Sequence, residues 1–134
     1  MSGAGIDLTH HPIHLGKGAT AAVQPRFDGD PAWYADYASR VAGDGVDGWL
    51  VSSSTFAEPW DAWEMHPNGH EIVVCTAGSV RLHQEHPDGS TEVVSLTVGQ
   101  AAINPPGTWH TADVDETATC LFITAGMGTE HRPR

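Results

Sequence analysis

Trp60-Asp61-Ala62-Trp63-Glu64-Met65-His66-Pro67-Asn68-Gly69-His70-Glu71 is the stretch whose reading decides the fold. Its first half alternates as an extended strand does, so Glu64 and His66 project from one face and Trp63 and Met65 from the other. Pro67-Asn68-Gly69 turns the chain, and Glu71 opens a returning strand that carries its carboxylate back beside that pair. His70 faces away from Glu71 by the same alternation. Trp60 lies on the side of Glu64 and His66, as a core tryptophan or a cavity wall.

Working outward, the same punctuation continues. Short runs of β-branched and aromatic residues predict strands over Trp49–Phe56, Trp60–His66, Glu71–Thr76, Val80–His86, Thr91–Leu96, Ala101–Asn104, Trp109–Val114 and Thr117–Thr124. Pro87-Asp88-Gly89-Ser90 closes a hairpin, and Pro105-Pro106-Gly107-Thr108 delivers His110 into another strand. Many short antiparallel strands with no intervening helix make an all-β sandwich, barrel or jelly roll. This body spans residues 47–126, with an arm over 1–46 and a tail over 127–134. In the arm, Asp30 caps a helix that starts at Pro31 and runs over 31–42, with Trp33, Tyr34, Tyr37, Ala38 and Val41 at helical spacing. That helix packs outside the body.

Composition narrows the partners. The 134 residues hold 6 Lys and Arg against 17 Asp and Glu, a formal charge of -11, which repels phosphate and argues against nucleic acid and anionic membranes. No apolar run is long enough to span a bilayer, and the first residues, MSGAGIDLTHH, lack the character of a signal peptide, so a cytoplasmic location is expected. Cys75 and Cys120 read as buried thiols. Nine histidines stand out.

The two turn-bounded segments resemble the cupin superfamily, specifically small single-domain microbial cupins. The first cupin motif, G-x5-H-x-H-x3-4-E-x6-G, is matched by His66, Glu71 and Gly78; the second, G-x5-P-x-G-x2-H-x3-N, by Gly99, Pro105, Gly107 and His110. Glu58 stands where the first glycine belongs, Glu64 where the first histidine does, and Val114 in place of the asparagine. The resemblance covers residues 58–114. It implies a cupin-type antiparallel β-barrel, or jelly roll, and an interior site.

Glu64, His66, Glu71 and His110 offer two imidazoles and two carboxylates, a set that suits a divalent transition metal such as Fe, Mn, Ni, Co or Zn. The competing reading keeps the same four residues as a metal-free hydrogen-bonded network. Glu64 is either a ligand or, left off the metal, a general base and hence the candidate catalytic residue. His83 and His86 are expected on a solvated hairpin, and His10, His11 and His14 in a loose terminal cluster.

No nucleophile elbow or nucleotide-binding loop is present, so catalysis would depend on the metal. The expected function is a metal-dependent enzyme, of oxygenase or isomerase type, acting on a small organic molecule in the barrel. The alternative is a non-catalytic cupin that binds or senses a small molecule. The scarcity of Lys and Arg near the motifs favours neutral or apolar ligands. Trp63, Met65 and the aromatic helix, read as exposed, predict a homodimer.

Overall fold

A computed structural model describes residues 3–134. The strands are β1 (Ile13–Gly16), β2 (Thr20–Val23), β3 (Trp49–Phe56), β4 (Ala62–Met65), β5 (Glu71–Glu85), β6 (Thr91–Thr97), β7 (Ala101–Asn104), β8 (Trp109–Asp113), β9 (Ala118–Thr124) and β10 (Glu130–Pro133). One helix, α1 (Pro31–Arg40), precedes β3, and a 3-10 segment over Ala42–Asp47 follows it. All pairings are antiparallel, in the order β10-β4-β8-β5-β9-β3-β1-β2 with β6 and β7 also on β5. This is a jelly roll, one of the all-β forms that the alternation allows and the one that the resemblance implies.

β5 joins the two faces of the barrel. Its first half pairs with β9 and β7, its second with β8 and β6. The segment expected as two strands, 71–76 and 80–86, is therefore one strand, bent by a bulge between Cys75 and Ala77. Gly78 makes the bend possible. Its φ is +71°, and a Cβ there would lie 2.0 Å from the Thr117 carbonyl oxygen, so no other residue fits without backbone movement.

The core lies between the faces: Val73, Cys75, Val80, Leu82, Leu96, Ala112, Val114 and Cys120 are buried, with Phe56, Trp60 and Phe122 packed against them. Val114, in the place of the motif asparagine, is a core residue. Cys75 and Cys120 are buried free thiols, Cα partners across β5 and β9.

The arm and the tail do more than the alternation suggests. β1 pairs with β3, so the arm extends a sheet, and the tail returns as β10 along β4. α1 starts as expected, Asp30 accepting from the Ala32 amide at 2.9 Å, but it ends at Arg40 rather than 42. Its aromatic stripe turns toward a cavity at the barrel mouth, where Trp33, Tyr34 and Tyr37 line one wall. Arg132 lies over both Trp63 (5.1 Å) and Trp109 (4.5 Å). Of the groups behind the expectation of a homodimer, Trp63, Trp33 and Tyr37 are engaged within the chain and Met65 is half-buried, whereas Tyr34 is 53% exposed. No helix among the described residues is long and apolar enough to cross a membrane.

Candidate metal centre

Two rows of cross-strand partners build the site. In one, β4 lies between β10 and β8, so that His131, Glu64 and His110 are successive Cα partners. In the other, β5 lies between β7 and β9, and Glu71 partners Asn104 on one side and Thr124 on the other. Directly opposed residues share a face. His66, just past the end of β4, enters between the rows.

The structure brings all four residues singled out in the sequence together. Glu64, His66 and His110 each offer one ligand atom within 4.8 Å of the other two. His66 Nε2 lies 3.2 Å from Glu71 Oε2 and 3.8 Å from Glu64 Oε1, and His110 Nε2 lies 3.1 Å from Glu71 Oε1. His66, Glu71 and His110 are buried, whereas the Glu64 side chain keeps 30% of its surface exposed to the cavity mouth.

Hydrogen bonds fix which nitrogen of each histidine faces inward. Thr129 Oγ1 donates to the Gly126 carbonyl, so toward His66 Nδ1, at 2.8 Å, it can only accept. The proton of neutral His66 is therefore on Nδ1, and Nε2 carries a lone pair. The Thr108 carbonyl, 3.4 Å from His110 Nδ1, imposes the same tautomer. With both histidines neutral, two imidazole lone pairs face carboxylate oxygens, so the 3.2 Å hydrogen bond between His66 Nε2 and Glu71 Oε2 needs an added proton on Nε2. Such an arrangement is repulsive until a cation enters, either protons or a metal ion.

The remaining contacts support that conclusion. His110 Nε2, although close to Glu71, is not aligned to bond with it and is the one buried side-chain polar atom without a hydrogen-bond partner among the described residues. Burial opposes the protonation of His110, but Glu71 and Glu64 outweigh it and raise its pKa. Glu71 is held by Asn104 Nδ2 at 3.0 Å and Thr124 Oγ1 at 2.6 Å, and Gln84 in turn donates to Asn104 Oδ1 at 2.7 Å. Burial resists its ionisation, yet the contacts with His110 and His66 prevail and hold its carboxyl well below the ordinary range. Glu64 goes the other way: burial, then the charge of Glu71, pushes its pKa up. One carboxylate is a fixed anion and the other a group that takes up a proton readily.

The other histidines stay outside the cluster. His83 pairs with Asp113 at 2.7 Å, and His86 contacts Thr108 and Glu92; both are half-buried rather than fully solvated. His70 is exposed. His14, expected in a loose terminal cluster, is buried. Sequence reasoning also missed Asn104, Gln84, Thr124 and Thr129. Alternation could have found two of them, because Gln84 shares the inward face of Leu82, and Asn104 that of Ala102.

The site opens into a cavity of about 880 Å³. Phe56, Trp60 and Phe122 form the barrel side of its wall, so Trp60 is both a core and a cavity residue. Phe27, Trp33 and Tyr34 form the side nearer α1.

No family model matches the chain, and no curated protein does. Solved structures do. An uncharacterized conserved protein with a double-stranded beta-helix domain from Klebsiella pneumoniae aligns over 63% of this chain and 73% of its own, at 22% identity and a TM-score of 0.51. The fold is that of the cupins. A structure of oxalate oxidase aligns over 60% of this chain and 44% of its own, at 14% identity and a TM-score of 0.52. Peruvianin-I, described as a cysteine peptidase from Thevetia peruviana latex, aligns over 64% and 55%, at 20% identity and a TM-score of 0.53. The chain thus spans about half the length of these last two proteins. A cupin fold that serves an oxidase and a peptidase fixes the scaffold and leaves the chemistry to the site.

Proposed function

We propose that this chain is a metal-binding cupin, with Glu64, His66, Glu71 and His110 holding a divalent transition ion, and that it acts as an enzyme on a small organic molecule in the cavity. The observation that carries this reading is the convergence of two Nε2 lone pairs on carboxylates with one nitrogen left orphaned, an arrangement that a cation completes. Mixed nitrogen and oxygen donors suit Fe, Mn, Ni, Co or Zn. When bound, such an ion supplies Lewis acidity and, if it is iron, redox chemistry of the oxygenase type, whereas an isomerase needs the Lewis acid alone.

The chain's own residues contribute the rest. Thr129 and the Thr108 carbonyl orient the imidazoles, and Asn104 and Thr124, the former held by Gln84, fix the Glu71 carboxylate in place. Left off the metal, Glu64, facing the cavity with a raised pKa, would instead give or take a proton at a bound molecule, with His66, Glu71 and His110 holding the ion. The aromatic walls exclude water and accept a ligand without strong negative charge, since no Lys or Arg is found among the described residues lining the cavity. A cytoplasmic location accords with the acidic surface.

The test is metal analysis of untagged protein, with titration of chelator-treated protein by Fe(II), Mn(II), Ni(II), Co(II) and Zn(II). One equivalent bound by the wild type and none by His66→Ala or His110→Ala is the expected result. Wild type that binds no ion overturns the reading and leaves a metal-free cavity for binding or sensing a small molecule.

A further inference from the structure

Across the cavity from the barrel, a second cluster of polar groups is built with the same care as the first. His14, on β1 and 5% exposed, has both ring nitrogens engaged: Nε2 lies 2.6 Å from Asp44 Oδ2, and Nδ1 2.6 Å from Tyr37 Oη. The other Asp44 oxygen accepts from the Lys17 amide at 3.1 Å. Two glycines make room for the cluster: a Cβ at Gly16 would lie 2.6 Å from Asp44 Oδ2, and one at Gly48 2.7 Å from His14 Cε1. His14 and Tyr37 both line the cavity that holds Glu64, His66 and Glu71.

The bonding order follows from the donors. The Asp44 carboxylate only accepts, so neutral His14 carries its proton on Nε2 and presents a lone pair at Nδ1. Tyr37 must then donate its hydroxyl proton to His14. Hydrogen bonding to His14 holds the Asp44 carboxyl below the ordinary range, and burial, helped by Asp44, pushes the Tyr37 phenol up to about 12. Tyr37 Oη has no other hydrogen-bond partner among the described residues, so the free lone pair of the phenol is the group left for a ligand.

We propose that Tyr37, His14 and Asp44 form a proton relay that binds and ionises an acidic hydroxyl on a neutral, ring-shaped ligand held between the aromatic walls. The ligand's O–H bond breaks as a new O–H bond forms at Tyr37 Oη. The proton already on Tyr37 passes to His14 Nδ1, and Asp44 balances the resulting imidazolium. No oxidant or other co-reactant enters. Tyr37 touches the ligand, while His14 and Asp44 act through it. The relay shares the cavity of the proposed metal centre and rests on that cavity being a ligand site, but it does not require the metal.

The test uses 4-nitrophenol, whose ionised form absorbs in the visible, with chelator-treated protein at a pH where the free probe is neutral. Wild type is expected to bind the probe and show the absorbance of its anion. Tyr37→Phe and Asp44→Asn should lose that band and bind about tenfold more weakly, the scale of one lost hydrogen bond to a charged or polarised group. The two variants guard each other against a folding defect, which a thermal melt reports, and His83→Ala, outside the cavity, should keep the band. Wild type that fails to bind the probe or binds only its neutral form overturns the relay, as does a folded Tyr37→Phe with an undiminished band. Because metal content is read separately, a relay without metal or a metal site without a relay is recognised as such.

Discussion

Glu64 and His110 are direct cross-strand partners, the pair through which β4 meets β8. The carboxylate that stands in the place of a motif histidine therefore occupies the same face and depth as that histidine would, beside His110 and opposite His131 of β10. Its difference is chemical. It brings a negative charge, a raised pKa and contact with the cavity to a position where an imidazole would bring only a lone pair.

Histidine truncation distinguishes the centre from the rest of the histidines. Replacing His66 or His110 by alanine removes an Nε2 lone pair from a buried cluster, and stoichiometric metal should disappear in both. His83→Ala and His86→Ala remove groups paired with Asp113 and Glu92 and should leave metal content unchanged. Elemental analysis of the four purified variants reads the outcome, and equal loss from the hairpin histidines would move the centre elsewhere.

Substituting Glu64→Gln keeps the side chain's size and removes its charge. A ligand role weakens metal binding, by about 10–100-fold if the effect matches that of removing a supporting carboxylate. A base role leaves the metal and abolishes turnover of whatever substrate is found. Isothermal titration with the metal, run beside an activity assay, separates the two. A variant unchanged in both has neither role, and the binding-module reading would then take first place.

The bend at Gly78 is testable through stability alone. Gly78→Ala must hold a left-handed φ of +71° and push a Cβ against the Thr117 carbonyl. The φ penalty is about 1–3 kcal/mol, and the clash adds to it. Urea denaturation should show a loss of at least about 2 kcal/mol. An unchanged midpoint would mean that β5 reaches both faces of the barrel without this bend.

What could be read from the sequence followed from local pattern. β3 and β7 match their expected limits because turn residues bound them, and in β7 buried and exposed positions alternate as well. Local pattern divides β5 because Gly78 looks like a turn; only the ladders to β9 and β8 show that the strand continues, bent, through it. β2 and β10 escaped for the opposite reason. Thr20-Ala21-Ala22-Val23 is exposed throughout, and Glu130-His131-Arg132-Pro133 has no alternating apolar face; both are edge strands, where proline and charge are tolerated. The four central site residues were legible through strand alternation and motif spacing. His14 was not, since its partner Asp44 lies 30 residues away and nothing in the run His10-His11-Pro12-Ile13-His14 marks the last histidine as inward.

The last prediction concerns pH and turns on the sign of each shift. The lowered pKa of Glu71 contributes stability that is present above its ordinary value of 4.5 and is lost only as pH falls through its lower folded value. His110 behaves in reverse. Its raised pKa contributes stability that is complete below 6.5 and is lost as pH rises through the folded value. Glu64, also raised, adds a loss that begins above its ordinary value of 4.5, because ionising it within the cluster is opposed by burial and by Glu71. Chelator-treated protein should therefore be more stable near pH 6 than near pH 8, with melting temperature falling as His110 loses its proton. A divalent ion takes the place of that proton, so metal-loaded protein should show no such fall, and the stabilisation on adding metal should grow from pH 6 to pH 8 as protons cease to compete. Differential scanning calorimetry with and without one equivalent of Zn(II) or Mn(II) measures both slopes. Parallel curves would show that the proton on His110 and the metal do not share a site.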